Sequence, residues 1–144
     1  LNWRVPFSKI EPGTGRMLTD GNDLAILTIG KPGIYVQRAL KRLSRDGIHP
    51  AHYDMRFVKP IDEPLLHEVF GKFGMVMTIE DGTVKGGFGS AVAEFMAENN
   101  YKARLVMHGI PDQFVEHGSP EQLYKLCELD TDGICNLVMK LSGK

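Results

Sequence analysis

The feature that most restricts this chain is an alternation, repeated along its length, of short apolar runs with segments whose apolar residues recur at helical spacing. The first run, DLAILTIG at 23–30, is bounded by Gly21 and Gly30 and reads as a buried strand. Behind it Val36, Ala39, Leu40 and Leu43 fall at i, i+3, i+4 and i+7, which predicts a helix over 34–45 that stops at Gly47. HPAHYDMRFV at 49–58 reads as a second strand, followed by a helix with Asp62 as cap, Pro64 in the first turn, and Leu65, Leu66, Val69, Phe70 and Phe73 on its buried face. MVMTIE at 75–80 is a third strand, after which KGGFGS opens a helix through Val92, Phe95 and Met96. ARLVMHGI at 103–110 follows the Asn99-Asn100 stop as a fourth. Ser119, Pro120 and Gln122 then match the N-cap, N1 and N3 positions of a capping box. Asp130 caps a last helix that carries Ile134, Leu137, Val138 and Leu141 towards Lys144.

Strands that alternate with helices through short connections imply a mostly parallel sheet covered on both faces, with right-handed crossovers. The expected architecture is α/β, a three-layer α/β/α sandwich. Ligands of such folds sit beyond the carboxyl ends of the strands, which here means Gly30, residues 57–59, 80–89 and 109–117. At 144 residues one compact domain is the default. The first twenty residues mix Pro, Gly and charges without period and read as an interdomain linker, with 21–144 as the domain. A start at Leu1 without an initiator Met adds the expectation that the chain is a piece of something longer.

Seventeen basic and eighteen acidic side chains leave a net charge of −1, which argues against nucleic acid or an acidic membrane surface as partner. The two cysteines, Cys127 and Cys135, form no CxxC pair and are expected to be free thiols. No apolar run approaches the roughly 20 residues that span a bilayer, and the first ten residues lack a signal-peptide core. A cytoplasmic location is expected.

Candidate chemistry is sparse. Gly86-Gly87-Phe88-Gly89 before a helix could present backbone amides to a phosphate, yet Val92 stands where a dinucleotide fingerprint needs its third glycine, and no Gly-Lys-Ser/Thr follows. Tight helix-on-strand packing is the preferred account. Glu80 and Asp81 could serve as acid and base or bind a hard cation. Adjacent strand residues point to opposite faces, which favours one buried, hydrogen-bonded carboxylate and one solvated one. His49, His52, His67, His108 and His117 form no HxH or HxxxH pair, so no metal site is expected; His117 beside Glu116 is the best functional histidine by position, although a role holding loop carbonyls is the plainer reading. Ser90 and Ser119 sit at helix starts as caps, no GxSxG elbow exists, and Cys127 reads as core. Arg56 and Lys59 could receive an anion or an acidic partner, with a salt-bridged surface the simpler account.

Four stretches add to this reading: DLAILTIG at 23–30, DMRFVKPID at 54–62, TIEDGTVKGGFGSAVAEF at 78–95 and GIPDQFVEHGSPEQLY at 109–124. Together, and in this order, the chain resembles the C-terminal, transketolase-type domain of the 1-deoxy-D-xylulose-5-phosphate synthases. The last two stretches are the specific ones. The resemblance implies a complete enzyme, a transferase that condenses pyruvate with glyceraldehyde 3-phosphate, releases carbon dioxide and forms the precursor of isoprenoids, thiamine and pyridoxal. Thiamine diphosphate and magnesium are the cofactors it implies. The metal and diphosphate motif and the pyrimidine-activating glutamate of that family belong to its first two domains. The resemblance therefore places no catalytic, cofactor-binding or metal-binding residue here, and the domain alone is expected to be inactive. Expected partners are the preceding pyrimidine-binding domain and a twofold-related subunit, in a homodimer. Residues 80–90 are expected to pack against the neighbouring domain or the twofold partner, with Gly87 permitting the approach. The alternatives are the C-terminal domain of a 2-oxoacid dehydrogenase β subunit, a transketolase, and a non-enzymatic assembly module.

Overall fold

The computed structural model describes residues 4, 6 and 8–143. Leu1, Asn2, Trp3, Val5 and Phe7 of the expected linker, and Lys144 of the last helix, lie outside the described residues. The elements are β1 (Arg16–Thr19), β2 (Ala25–Ile29), α1 (Pro32–Leu43), β3 (Ala51–Asp54), α2 (Glu63–Lys72), β4 (Met75–Thr83), α3 (Phe88–Glu98), β5 (Arg104–Ile110), α4 (Pro120–Leu126) and α5 (Thr131–Leu141). The fold is the expected α/β class.

The sheet runs β1-β3-β2-β4-β5. β3, β2, β4 and β5 are parallel, as the strand–helix alternation requires, and β1 lies antiparallel against β3 with Arg16 opposite Asp54. β1 falls inside the stretch read as linker. It is a four-residue edge strand with mostly exposed side chains, so it carries no burial pattern that composition could reveal.

Side chains alternate faces along each strand, and this sorts the core into two halves. Leu24, Ile26, Met77 and Ile79 point to one face, where they pack with Val36, Ala39, Leu40 and Leu43 of α1 and Ile134 and Val138 of α5. Ala25, Leu27, Tyr53 and Val76 point to the other, where Leu66, Val69 and Phe70 of α2 and Val92 and Phe95 of α3 cover them. Three layers result.

Local chemistry fixes the helix ends. α1 runs into a short 3-10 turn at Ser44–Asp46 that closes on Gly47 at φ 69°, a left-handed position where a Cβ is disfavoured. Asp62 accepts from the Leu65 amide at 3.0 Å with Oδ1 and from the Gly15 amide at 2.7 Å with Oδ2, so one carboxylate caps α2 and ties the approach to β1. Ser119 and Gln122 complete their capping box, and Asp130 accepts from the Gly133 amide at 2.8 Å. The second strand is shorter than the apolar run implied, because the chain turns out of the sheet at Arg56, which takes φ 58°.

Candidate functional site

The chain leaves β2 for β3 on one side and later returns to β4 on the other, so strand order reverses between β2 and β4. A ligand site of an α/β sheet would lie beyond the carboxyl ends of these strands, where Ile29 pairs with Glu80. The amino end of α3 points there, with the free amides that usually hold a phosphate.

Here the protein fills that position itself. Glu80 is buried at 5% exposure, and its carboxylate accepts from the Phe88 amide (Oε2, 2.8 Å) and the Gly89 amide (Oε1, 2.8 Å). α3 has no side-chain cap at its own N-cap residue, Gly87; the cap comes from the strand before it. A negative charge at a helix amino end is stabilised by both the unpaired amides and the helix dipole. With both amides taken, this end cannot receive a phosphate or diphosphate unless Glu80 leaves.

Gly87 follows from the same geometry. A Cβ there would stand 2.1 Å from Glu80 Oε2 and 2.4 Å from the Thr83 carbonyl oxygen. The close approach that Gly87 permits here is that of its own strand. Ser90 closes the turn, accepting from the Gly86 amide at 2.9 Å and donating to the Val84 carbonyl at 3.3 Å.

Asp81 points to the opposite face and accepts a hydrogen bond from the Tyr124 hydroxyl. Burial and that bond push the Tyr124 phenol well above its ordinary value. Tyr35 packs on the Tyr124 ring at 5.1 Å, and Lys31 lies over it at 4.8 Å. The two carboxylates are thus separated by the sheet, each with its own partner, and do not form an acid–base pair.

The histidines scatter. His67 bonds to the Tyr101 hydroxyl at 2.7 Å, and His108 Nε2 donates to the Glu128 carbonyl at 3.0 Å. His117 is exposed in the loop after β5, and His49 is exposed before β3. His52 is fully buried, which sequence spacing gave no means to see. Its Nδ1 accepts from the Gln37 amide at 2.6 Å, its Nε2–H donates to Thr28 Oγ1 at 2.8 Å, and Gln37 also bonds Thr19 Oγ1 at 3.1 Å. Burial lowers its pKa from 6.5 to about 4, so the ring is neutral and serves as a link between β1, α1, β3 and β2. No group of three His, Cys, Asp or Glu side chains among the described residues could hold a metal ion.

Arg56 sits 3.9 Å from Asp54, which Arg16 also approaches at 3.0 Å, so this arginine is salt-bridged, while Lys59 is exposed. Cys135 is buried and its thiol is pushed up by that burial. Cys127, expected in the core, is half-buried and lines two surface clefts.

Residues 13–134 match the sequence profile of the transketolase C-terminal domain. The chain belongs to the transketolase C-terminal domain family. It is 54% identical over 142 residues to the 1-deoxy-D-xylulose-5-phosphate synthase of Cytophaga hutchinsonii and 52% identical over 141 residues to that of Bacteroides fragilis. Each alignment takes in 97–99% of this chain but 22% of the relative, so the chain spans about a fifth of the length of these synthases. Among solved structures, one described as a split-gene transketolase in an inactive β4 tetramer superposes with a TM-score of 0.84 at 36% identity, over 92% of this chain and 43% of that one. A transketolase from Campylobacter jejuni shares the fold with a TM-score of 0.63 at 13% identity, over 93% of this chain and 19% of that one. No helix among the described residues is long and apolar enough to cross a membrane.

Proposed function

We propose that this chain is the C-terminal domain of a 1-deoxy-D-xylulose-5-phosphate synthase, the transferase that joins pyruvate to glyceraldehyde 3-phosphate with loss of carbon dioxide. The observation that carries the reading is 54% identity to such a synthase across 99% of this chain, including both distinctive stretches at 78–95 and 109–124. In the complete protein, thiamine diphosphate and magnesium supply the carbanion chemistry. The residues of this domain do not fit them: the amino end of α3 at the strand-order reversal is capped by Glu80, and Asp81 is engaged by Tyr124. The domain accordingly contributes no catalytic, cofactor or metal ligand and acts as a structural and dimerising unit of a cytoplasmic homodimer, seated beside the pyrimidine-binding domain.

The test is an assay of the complete polypeptide with thiamine diphosphate and magnesium, following carbon dioxide release from pyruvate with and without glyceraldehyde 3-phosphate. Aldehyde-dependent release with formation of 1-deoxy-D-xylulose 5-phosphate is expected. Release indifferent to the aldehyde would instead indicate a 2-oxoacid dehydrogenase β subunit, and ketol transfer between sugar phosphates a transketolase.

A further inference from the structure

Asp81 has an oxygen to spare. Its Oδ2 accepts from the Tyr124 hydroxyl, whereas Oδ1 has no hydrogen-bond or ion-pair partner among the described residues. A carboxylate needed only to satisfy Tyr124 would do so anywhere on the surface. This one borders an apolar cleft of about 220 Å³. Ile110 from the end of β5, Val115 from the loop that follows, Leu123 from α4 and Leu129 from the turn after α4 form its walls, and Tyr124 lines it beside Asp81. Among the described residues Asp81 is the only charged side chain in that lining; Lys31, which lies over the Tyr124 ring, takes no part in it.

The walls are fixed by the fold itself. Ile110 pairs with Thr83 across the sheet, and its carbonyl accepts from the Val84 amide at 3.0 Å. Lys85 pairs with Asp112 at 3.0 Å and so ties down the loop that carries Val115. The Ser119–Gln122 capping box sets the start of α4, and the Leu129 amide donates to the Tyr124 carbonyl at 2.8 Å after its end. The cleft is thus formed before anything enters it, which spares a ligand the cost of ordering it.

Its chemistry selects what fits. Hydrocarbon walls favour an uncharged apolar body, whose removal from water is favourable in proportion to its area. A carboxylate oxygen without a partner favours one positive charge bearing N–H donors, and it repels an anion. An apolar cavity of about 150 Å³ takes up benzene, so one six-membered ring with a one-carbon arm matches the size of this cleft.

We propose that the cleft between β5, its following loop and α4 is a binding site for a small hydrophobic primary amine, with the ammonium on Asp81 Oδ1 and the hydrocarbon among Ile110, Val115, Leu123 and Leu129. The site is separate from the Glu80 cap of α3, on the opposite face of the sheet, and the inference stands independently of the synthase reading.

The test titrates benzylamine, protonated at neutral pH, into the complete polypeptide at low ionic strength and maps amide exchange by mass spectrometry. Saturable binding is expected with a Kd on the order of 1 mM, together with slower exchange confined to residues 110–124. Benzyl alcohol, which has the same shape without the charge, should bind at least about fivefold more weakly, as should benzylamine to Asp81→Asn. Val115→Phe, a loop substitution that fills the cleft and leaves Asp81 in place, should abolish binding. Absence of saturable binding, equal affinity for the alcohol, equal affinity of Asp81→Asn, undiminished binding to Val115→Phe, or protection outside 110–124 each overturns the proposal. The alcohol comparison uses the unaltered protein, so it stays decisive even where Asp81→Asn disturbs the Tyr124 bond.

Discussion

Replacing Glu80 by Gln removes the charge from the amino end of α3 while leaving volume almost unchanged. One of the two oxygens becomes an NH2 group facing the Phe88 or Gly89 amide, so a donor meets a donor at a position where 2.8 Å bonds stood. A hydrogen bond to a charged group is worth roughly 1.5–3 kcal/mol, and a buried donor left unmatched costs about as much again at its upper limit. The helix dipole adds about 0.3–1 kcal/mol. Glu80 is 5% exposed, so solvent screening recovers little of this. A loss of about 2–4 kcal/mol is expected. For a chain of this size that corresponds to a fall in Tm of roughly 5–15 °C. Urea titration followed by circular dichroism measures it directly, with the midpoint falling and the slope unchanged if only the native state is affected. Glu80→Asp should fall almost as far, since the shorter arm cannot span both amides. A change below about 0.5 kcal/mol, the range of ordinary surface substitutions, would refute the assignment of Glu80 as the cap of α3.

Gly87→Ala should be as damaging as loss of the Glu80 cap, because the added methyl overlaps both the carboxylate and the Thr83 carbonyl; a wild-type Tm would contradict the close packing described. His52, whose pKa falls from 6.5 unfolded to about 4 folded, is protonated in the unfolded chain before the native one, so stability should drop as pH is lowered from about 6.5 to 4. The full effect is about 3 kcal/mol, and His52→Gln should flatten this part of the stability–pH curve; an unchanged slope would show the ring is not the titrating group. Asp62→Ala should cost about 1–3 kcal/mol by removing the α2 cap and the Gly15 tie together, whereas Asp62→Asn should retain much of the cap, as urea midpoints of the two variants would show.

The parts of the fold visible in the sequence are those whose causes are local. The α1 stripe at Val36, Ala39, Leu40 and Leu43 is a matter of period, and Asp62, Ser119, Gln122 and Asp130 act on amides three residues away or nearer. The exposed edge strand β1 was illegible because its pairing partner is β3, more than thirty residues on, and nothing in RMLT demands a sheet. The turn at Arg56 cut β3 short without any glycine or proline to announce it. Glu80 and Asp81 were separable in principle from strand alternation. Only the folded chain shows that one returns to cap the next helix and the other meets Tyr124, forty-three residues away. His52 was hidden for the same reason: its three polar neighbours, Thr19, Thr28 and Gln37, converge from β1, β2 and α1.

The proposed role of this domain is to serve a thiamine-dependent synthase without holding any of its cofactor. Calorimetric titration of thiamine diphosphate with magnesium into the 144-residue protein and into the complete polypeptide tests it most directly. Saturable binding to the complete polypeptide alone is predicted. Tight binding to the 144-residue protein by itself would contradict this role.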